Sequence, residues 1–251
     1  MSETIQIKKD TFYKGFILVL LVGLIASIFT GGFGYRGTGA VTQNNDNNNN
    51  ADTVQPVNMQ VLEDPSLFPV LGPSNAKATI IELADYQCPY CTIAAGLASW
   101  TEQYKTQYGD LVGSAETAKE LANQGKARFI YVPLSFLGQE SVYAAEASYC
   151  AGNQGKYFEM HDAIFTASNG PSENDGKYSK ANLKIIAQGI SGLDQNKFGT
   201  CLDNDETLAK VNQATTIAQN AGFQISTPQF WVNEEKVQPS SAAIESAVNS
   251  A

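Results

Sequence analysis

The chain has 251 residues, room for one large domain or two small ones, and its 43% hydrophobic content suits a globular protein with a sizeable core, so disorder throughout is excluded. Sixteen basic against 25 acidic residues give a net charge of -9. That charge would repel a phosphate backbone and offers no counterion release, so nucleic acid is not expected as a partner.

The first recognisable element is an uncharged stretch of 21 residues from Gly15 to Tyr35, opening with Phe16-Ile17-Leu18-Val19-Leu20-Leu21-Val22. At ~1.5 Å per residue a helix of that length crosses a hydrocarbon core of ~30 Å. Lys8, Lys9 and Lys14 precede it and only Arg36 follows closely, so the positive-inside bias places residues 1–14 in the cytoplasm and the rest of the chain outside. Residues 15–35 therefore read as a transmembrane signal anchor. A cleaved signal peptide is the competing reading, because Thr38-Gly39-Ala40 has the small-x-small form of a cleavage site, although the apolar run exceeds the usual ~7 to 15 residues of a signal core. A core helix is disfavoured by the basic residues before the segment and the polar low-complexity sequence after it. Residues 36–57, which include Thr42-Gln43-Asn44-Asn45-Asp46-Asn47-Asn48-Asn49-Asn50, bury too little apolar surface to order themselves and read as a flexible Asn-rich linker. Residues 58–251 are left as a single domain.

Within that domain, Lys77-Ala78-Thr79-Ile80-Ile81-Glu82-Leu83-Ala84 is a β-branched and apolar run between Pro73-Ser74-Asn75 and Asp85, the pattern of a buried strand. Cys88-Pro89-Tyr90-Cys91 follows at once, then helical composition from Thr92 to about Tyr108, ending at Gly109. A second helix is expected over Ser114–Asn123, closed by Gly125, and Ala127-Arg128-Phe129-Ile130-Tyr131-Val132 returns as a strand, completing a β-α-β unit. Residues from about 139 to 221 turn helical, with candidate helices near 139–152, 155–168, 180–190 and 205–221 and a polar, glycine-bearing break at 169–177. Strand character resumes at Gln229-Phe230-Trp231-Val232, then come a turn at Asn233-Glu234-Glu235, a short strand and a last helix from about Ser240.

The chemistry-bearing feature is Cys88-x-x-Cys91. Such a pair can be a redox dithiol, half of a zinc site or a coincidence. Zinc needs two further ligands, normally a second close pair, and the other candidates, Cys150, Cys201 and the single histidine His161, are isolated. No metal is therefore expected, and dithiol chemistry calls for no cofactor. A cysteine at the start of a helix feels unpaired N–H groups and the positive end of the helix dipole, which favour thiolate over thiol. Cys88 is then the nucleophile and Cys91, one turn further in, the resolving thiol. His161, on an apolar-periodic helix after Met160, reads as a packing residue, and Trp100, Trp231 and Tyr157 as core or groove lining.

Phe68-Pro69-Val70-Leu71-Gly72, followed by Ile80 through Asp85-Tyr86-Gln87-Cys88-Pro89-Tyr90-Cys91, resembles the opening of the DsbA-like thioredoxin-fold family. The resemblance continues in order through Ala144-Ala145-Glu146-Ala147, Gly155-Lys156-Tyr157-Phe158-Glu159-Met160-His161-Asp162 and Ser226-Thr227-Pro228-Gln229-Phe230, and runs from Phe68 to the end of the chain. It implies an α/β thioredoxin-like fold with a helical insertion at about 139–221. It also implies a cis Thr227-Pro228 peptide against the active site, where Thr227, Pro228, Pro89 and Tyr90 would meet an extended substrate.

Thioredoxin-fold proteins often carry a buried acid six residues before the first cysteine, and Glu82 stands there. If buried near Cys91 it would have a raised pKa and relay that thiol's proton; the alternative is a carboxylate on the solvent face. Pro89-Tyr90 departs from the proline-histidine pair of the best-known members, and tyrosine cannot hold the charge with which histidine helps to stabilise the thiolate, so a strongly oxidising disulfide does not follow. Some members have a second, non-catalytic disulfide in the helical block, which favours a structural Cys150–Cys201 bond; two buried thiols or a regulatory pair are the alternatives.

The function implied is an extracytoplasmic thiol:disulfide oxidoreductase that forms or isomerises disulfides in exported proteins and is reoxidised by a membrane quinone-linked thiol oxidase. A membrane-tethered reductase for exported proteins or metal-centre assembly, and a non-catalytic peptide-binding module, are the competing readings.

Overall fold

The computed structural model describes residues 57–251. The expected cytoplasmic segment 1–14, membrane span 15–35 and linker 36–57, apart from its last residue, lie outside them. Among the described residues no helix is long and apolar enough to cross a membrane. Val57 already packs against the core, and the Asn58 amide donates to Ala221 O at 2.9 Å.

A five-stranded mixed sheet forms the centre: β1 (Val70–Leu71), β2 (Ala78–Ala84), β3 (Ala127–Pro133), β4 (Gln229–Val232) and β5 (Glu235–Val237), in the order β1-β3-β2-β4-β5. Only β2 and β3 run parallel, with Ile80 opposite Phe129 and Glu82 opposite Tyr131; the other pairings are antiparallel. The central strands are buried on both faces, which is why β2 and β3 are nearly continuous apolar runs rather than alternating ones.

The helices are α1 (Pro89–Ala95), α2 (Lys105–Tyr108), α3 (Ser114–Asn123), α4 (Gln139–Gly152), α5 (Tyr157–Thr166), α6 (Lys180–Ala187), α7 (Gln195–Asp203), α8 (Leu208–Asn220) and α9 (Ser241–Asn249). Strand alternation divides the core between two faces. Ile80, Phe129 and Phe230 join Ala94 of α1, Ala118 of α3, Ile244 of α9 and the helical block, whereas Ile81, Ile130 and Val132 meet Ala214 and Ala218 of α8 with Leu62 and Phe68. Each fully buried side chain of this size contributes about 1.5–3 kcal/mol of transfer free energy.

Two expectations need correction. The helix expected from Thr92 to Tyr108 stops at Ala95: Gly96 adopts φ +68°, and a Cβ there would lie 2.9 Å from Gly113 Cα, so the close approach of two backbones ends the helix. A 3-10 segment, Ser99–Tyr104, and α2 continue the path. Helix α7 was not expected. Its N-cap Asp194 accepts from the Asn196 and Lys197 amides at 3.0 and 3.1 Å, satisfying donors that a helix start leaves open.

Candidate active site

Strand β2 delivers the chain to the site and α1 receives it. Between them, Asp85 is fully buried and acts as an anchor. Its Oδ1 accepts from the Gln87 amide (2.9 Å) and the Ser141 hydroxyl (2.6 Å), and its Oδ2 from the Phe136 and Leu137 amides (3.0 and 3.1 Å). Burial raises the Asp85 pKa, and these four donors oppose that shift by stabilising the carboxylate. Gln87 extends the anchor, its amide nitrogen reaching Ser141 and Asn174 and its oxygen accepting from the Asn174 amide at 2.6 Å. The turn before the cysteines is thus tied to the loop after β3, to α4 and to the 169–177 segment. The only sign of this anchor in the sequence is that Asp85 and Gln87 are polar residues directly after a buried strand, where their side chains have to find hydrogen-bond partners.

Cys88 is the N-cap of α1 and Pro89 its first residue, where a missing N–H costs nothing. Cys88 is 5% exposed, and its Sγ lies 3.6 Å from the Thr227 carbonyl oxygen. Hydrogen bonding from the Cys91 thiol is the largest influence drawing its pKa down to about 7; burial opposes it, and the Thr227 side chain and the Cys91 and Tyr90 amides assist. Cys91 is fully buried, which pushes its thiol well above the ordinary value, and its position as donor to Cys88 pushes the same way. Both cysteines are free thiols. The pair therefore gives up its first proton near neutrality from Cys88 and holds the second at Cys91.

Thr227-Pro228 is a cis peptide, brought to the site by the loop before β4. Gln229 holds that loop from within the strand: its Nε2 donates to the Gln224 and Ser226 carbonyls at 2.8 and 2.6 Å. Tyr90 is 46% exposed beside Cys88 and meets Tyr108 edge-on at 5.6 Å.

Glu82 lies on the β2 face that carries Ile80 and looks toward Cys91 and Ala94, opposite Tyr131 on β3 and Phe230 on β4. It is 1% exposed, and its Oε2 has no hydrogen-bond partner. Burial lifts its pKa to about 8; Lys119 opposes the rise, and Glu116 and Asp162 add to it. Tyr131 feels the charges of both Glu82 and Cys91, so acid and resolving thiol share one buried neighbourhood.

Cys150 on α4 and Cys201 on α7 form a disulfide away from this site. Trp231 packs against the core and meets Phe223 edge-on, Trp100 meets Tyr104 edge-on and donates to the Ser168 hydroxyl at 3.2 Å, and Tyr157 is buried. Among the described residues no cluster of three or more His, Cys, Asp or Glu is placed to hold a metal ion.

Residues 68–250 match the family described as thioredoxin. A sodium/proton antiporter of Salinispora arenicola, NhaA 1, is 29% identical over 206 residues, covering 76% of this chain and 26% of its own length, so the chain spans about a quarter of that relative. Disulfide bond formation protein D of Bacillus subtilis is 23% identical over 172 residues, covering 68% of this chain and 69% of its own. Among solved structures, a thioredoxin-like oxidoreductase from Silicibacter pomeroyi superimposes with a TM-score of 0.56 at 26% identity, over 76% of this chain and 95% of that one. With a parallel β2–β3 pair feeding a dithiol at the start of α1, and the family match covering nearly all of the described residues, the chain belongs to the thioredoxin family.

Proposed function

We propose that this thiol–disulfide oxidoreductase works through the Cys88–Cys91 couple outside the cytoplasm, tethered by residues 15–35, and forms or isomerises disulfides in exported proteins. The observation that carries the reading is the asymmetry of the pair: a Cys88 thiol drawn down to about 7 at the head of α1, beside a Cys91 thiol pushed up by burial. Near pH 7 about half of Cys88 is thiolate, and it is also the better leaving group, because a mixed disulfide breaks most readily toward the sulfur with the lower pKa.

In the oxidising direction a substrate thiolate attacks Cys88 Sγ, the S–S bond breaks, and its electron pair leaves on Cys91, which takes a proton. A second substrate thiolate then attacks the substrate sulfur of the mixed disulfide and releases Cys88 as thiolate. One substrate disulfide forms and one enzyme disulfide is reduced. The backbone before Pro228, 3.6 Å from Cys88 Sγ at the Thr227 carbonyl, offers an extended substrate a strand-like partner next to the reacting sulfur. Reoxidation belongs to a membrane quinone-linked thiol oxidase on the same side of the membrane.

A reductive role is the second reading, and the Cys88 value favours it: about 7 stands at the thioredoxin end of the known range rather than near the ~3.5 of a strong oxidant. Equilibration of the full-length protein with glutathione buffers separates the two. A potential well below about -230 mV would exclude the oxidase. Cys88→Ser tests the enzyme itself, since exchange with a reduced, unfolded substrate must vanish; survival of exchange would leave only a peptide-binding module. Cys91→Ser should accumulate mixed disulfides, from which substrates can be identified by mass spectrometry.

A further inference from the structure

Four buried polar atoms on one side of the sheet make no hydrogen bond of ordinary geometry: Glu82 Oε2, His161 Nε2, and the Tyr131 and Tyr157 hydroxyls, which have only Tyr86 within reach. They belong to neighbouring groups. Tyr131 is the cross-strand neighbour of Glu82, its ring meets the His161 imidazole edge-on at 4.6 Å, and its centroid lies 6.3 Å from that of Tyr157. Buried polar groups rarely stay unpaired, because each costs about 1–3 kcal/mol when left so. Hydroxyls, a carboxyl and an imidazole placed so near one another form one buried polar cluster beside Cys91.

His161 also has an outward side. It is 1% exposed, yet its Nδ1 meets Asp162 Oδ1 at 2.8 Å, and the same oxygen accepts from Lys119 Nζ at 2.5 Å. Lys119 pairs with Glu116 at 3.0 Å as well. Glu116, Lys119, Tyr157 and Asp162 line a cleft of about 530 Å³ that opens to solvent between α3 and α5. The Asp162 carboxylate, already holding the Lys119 ammonium, fixes the imidazole tautomer with hydrogen on Nδ1 and leaves the lone pair on the buried, unpartnered Nε2. The charged and titratable groups acting on this cluster are Cys91 from α1, Glu116 and Lys119 from α3, Tyr131 from β3, Tyr149 from α4, Tyr157 and Asp162 from α5, and Tyr86 after β2. Phe230 of β4, opposite Glu82, and Ile244 of α9 are apolar members of the same buried core.

We propose that His161 is the positioning residue through which the proton exchanged between Cys91 and Glu82 passes to solvent, leaving by the Asp162–Lys119 cleft, whose lining includes none of Cys88, Tyr90, Thr227 or Pro228. The idea rests on the Cys88–Cys91 exchange proposed above. In the resolving step the Cys91 sulfur attacks a mixed disulfide at Cys88, the Cys88–Cys91 bond forms, and the substrate sulfur departs with the electron pair as thiolate. The Cys91 proton passes to Glu82 as the proton that the Glu82 carboxyl already carries moves on to His161 Nε2, while the Nδ1 proton leaves beside Asp162. The reverse sequence supplies the proton when the disulfide opens. Substrate covering Cys88 then leaves this route clear.

The test uses the reduced full-length chain and the aromatic disulfide 5,5′-dithiobis(2-nitrobenzoate). Attack by Cys88 releases the first thionitrobenzoate and resolution by Cys91 the second, so each step is read separately by stopped flow from pH 5 to 9 in H₂O and D₂O. General acid–base transfer contributes about 10²–10⁴-fold, and removing a group one place beyond Glu82 takes away part of it. His161→Phe, which preserves the aromatic packing, should slow the second release by roughly 10-fold near neutral pH, flatten its pH profile and raise its solvent isotope effect, with the first release unchanged. Asp162→Asn, at the cleft surface, should act in the same direction and decides the matter if His161→Phe disturbs folding. Wild-type rates and pH profiles for the second release in both variants would overturn the relay and leave the exchange reaction standing. Absence of Cys88-dependent release in the wild type would overturn both.

Discussion

At the residue scale the two cysteines are distinguished by environment. Cys88 sits where amides and a neighbouring thiol favour the anion, and Cys91 where burial forbids it. Glu82 follows the second rule, and the consequence is a measurable cost. Its carboxyl is held near 8 in the folded chain against an ordinary 4.5, so between those values the folded state binds a proton that the unfolded state has released. Stability contributed by the protonated form is complete below pH 4.5 and declines as pH rises to about 8, at about 1.4 kcal/mol per pH unit while the difference lasts. Glu82→Gln removes the titration. The variant should therefore melt above the wild type at pH 8–9, with the advantage shrinking as pH falls toward 4, as followed by thermal denaturation across pH. An equal offset at pH 4 and pH 9 would mean that the carboxyl does not titrate in this range. Glu146, buried on α4 with neither oxygen partnered and lifted to about 7, should add a decline of the same sign over the narrower window from pH 4.5 to 7, and so a smaller total loss.

At the element scale, the features legible in the sequence were those fixed by local rules. Ala78–Ala84 announced itself as a strand because its β-branched core lies between Pro73 and Asp85, and Ser114–Asn123 as a helix because Gly125 closes it. Ser240 caps the final helix with its hydroxyl on the Ala243 amide, as a serine before an apolar-periodic run suggests. What escaped notice depends on residues distant in sequence. Gly96 is a local stop signal that the composition of the run from Thr92 to Tyr108 overrides, and its force comes from a distant contact, since Gly96 must admit the Gly113 backbone and the helix ends there. The Asp85 anchor was hidden for the same reason, since its donors Phe136, Leu137 and Ser141 lie more than 50 residues away. The buried contact between His161 and Asp162 likewise depends on how α5 packs against β3 and α3. Gly96 allows a direct check. A Cβ at φ +68° and 2.9 Å from another backbone strains both segments, so Gly96→Ala should lower stability by about 1–3 kcal/mol in chemical denaturation. Because α1 carries the dithiol, the Cys88 titration should move with it; a variant of unchanged stability would show that the two backbones separate freely.

At the scale of the whole molecule, α4 links the helical block to the dithiol. Near its start Ser141 donates to Asp85 and Glu140 accepts from the Gly176 and Tyr178 amides. Further along, the Tyr149 hydroxyl reaches the Leu67 carbonyl at 2.7 Å, and Cys150 bonds to Cys201 of α7. Nine residues of helix, ~13 Å, separate Ser141 from Cys150, so the disulfide clamps the end of α4 remote from the active-site turn. A bond spanning 51 residues restricts the unfolded chain by about 4 kcal/mol in the loop-entropy account, an upper figure where the reduced chain retains structure. The Asp85 network, by contrast, holds the dithiol turn through contacts that do not involve either of these cysteines. The double variant Cys150→Ala, Cys201→Ala should consequently lose up to about 4 kcal/mol in chemical denaturation, with faster amide exchange in α7, while Cys88 keeps its pKa and its rate with a disulfide probe. If Cys88 reactivity fell together with stability, the clamp and the dithiol would form one cooperative unit, and the Cys150–Cys201 bond would govern the chemistry at Cys88 as well as holding α7 in place.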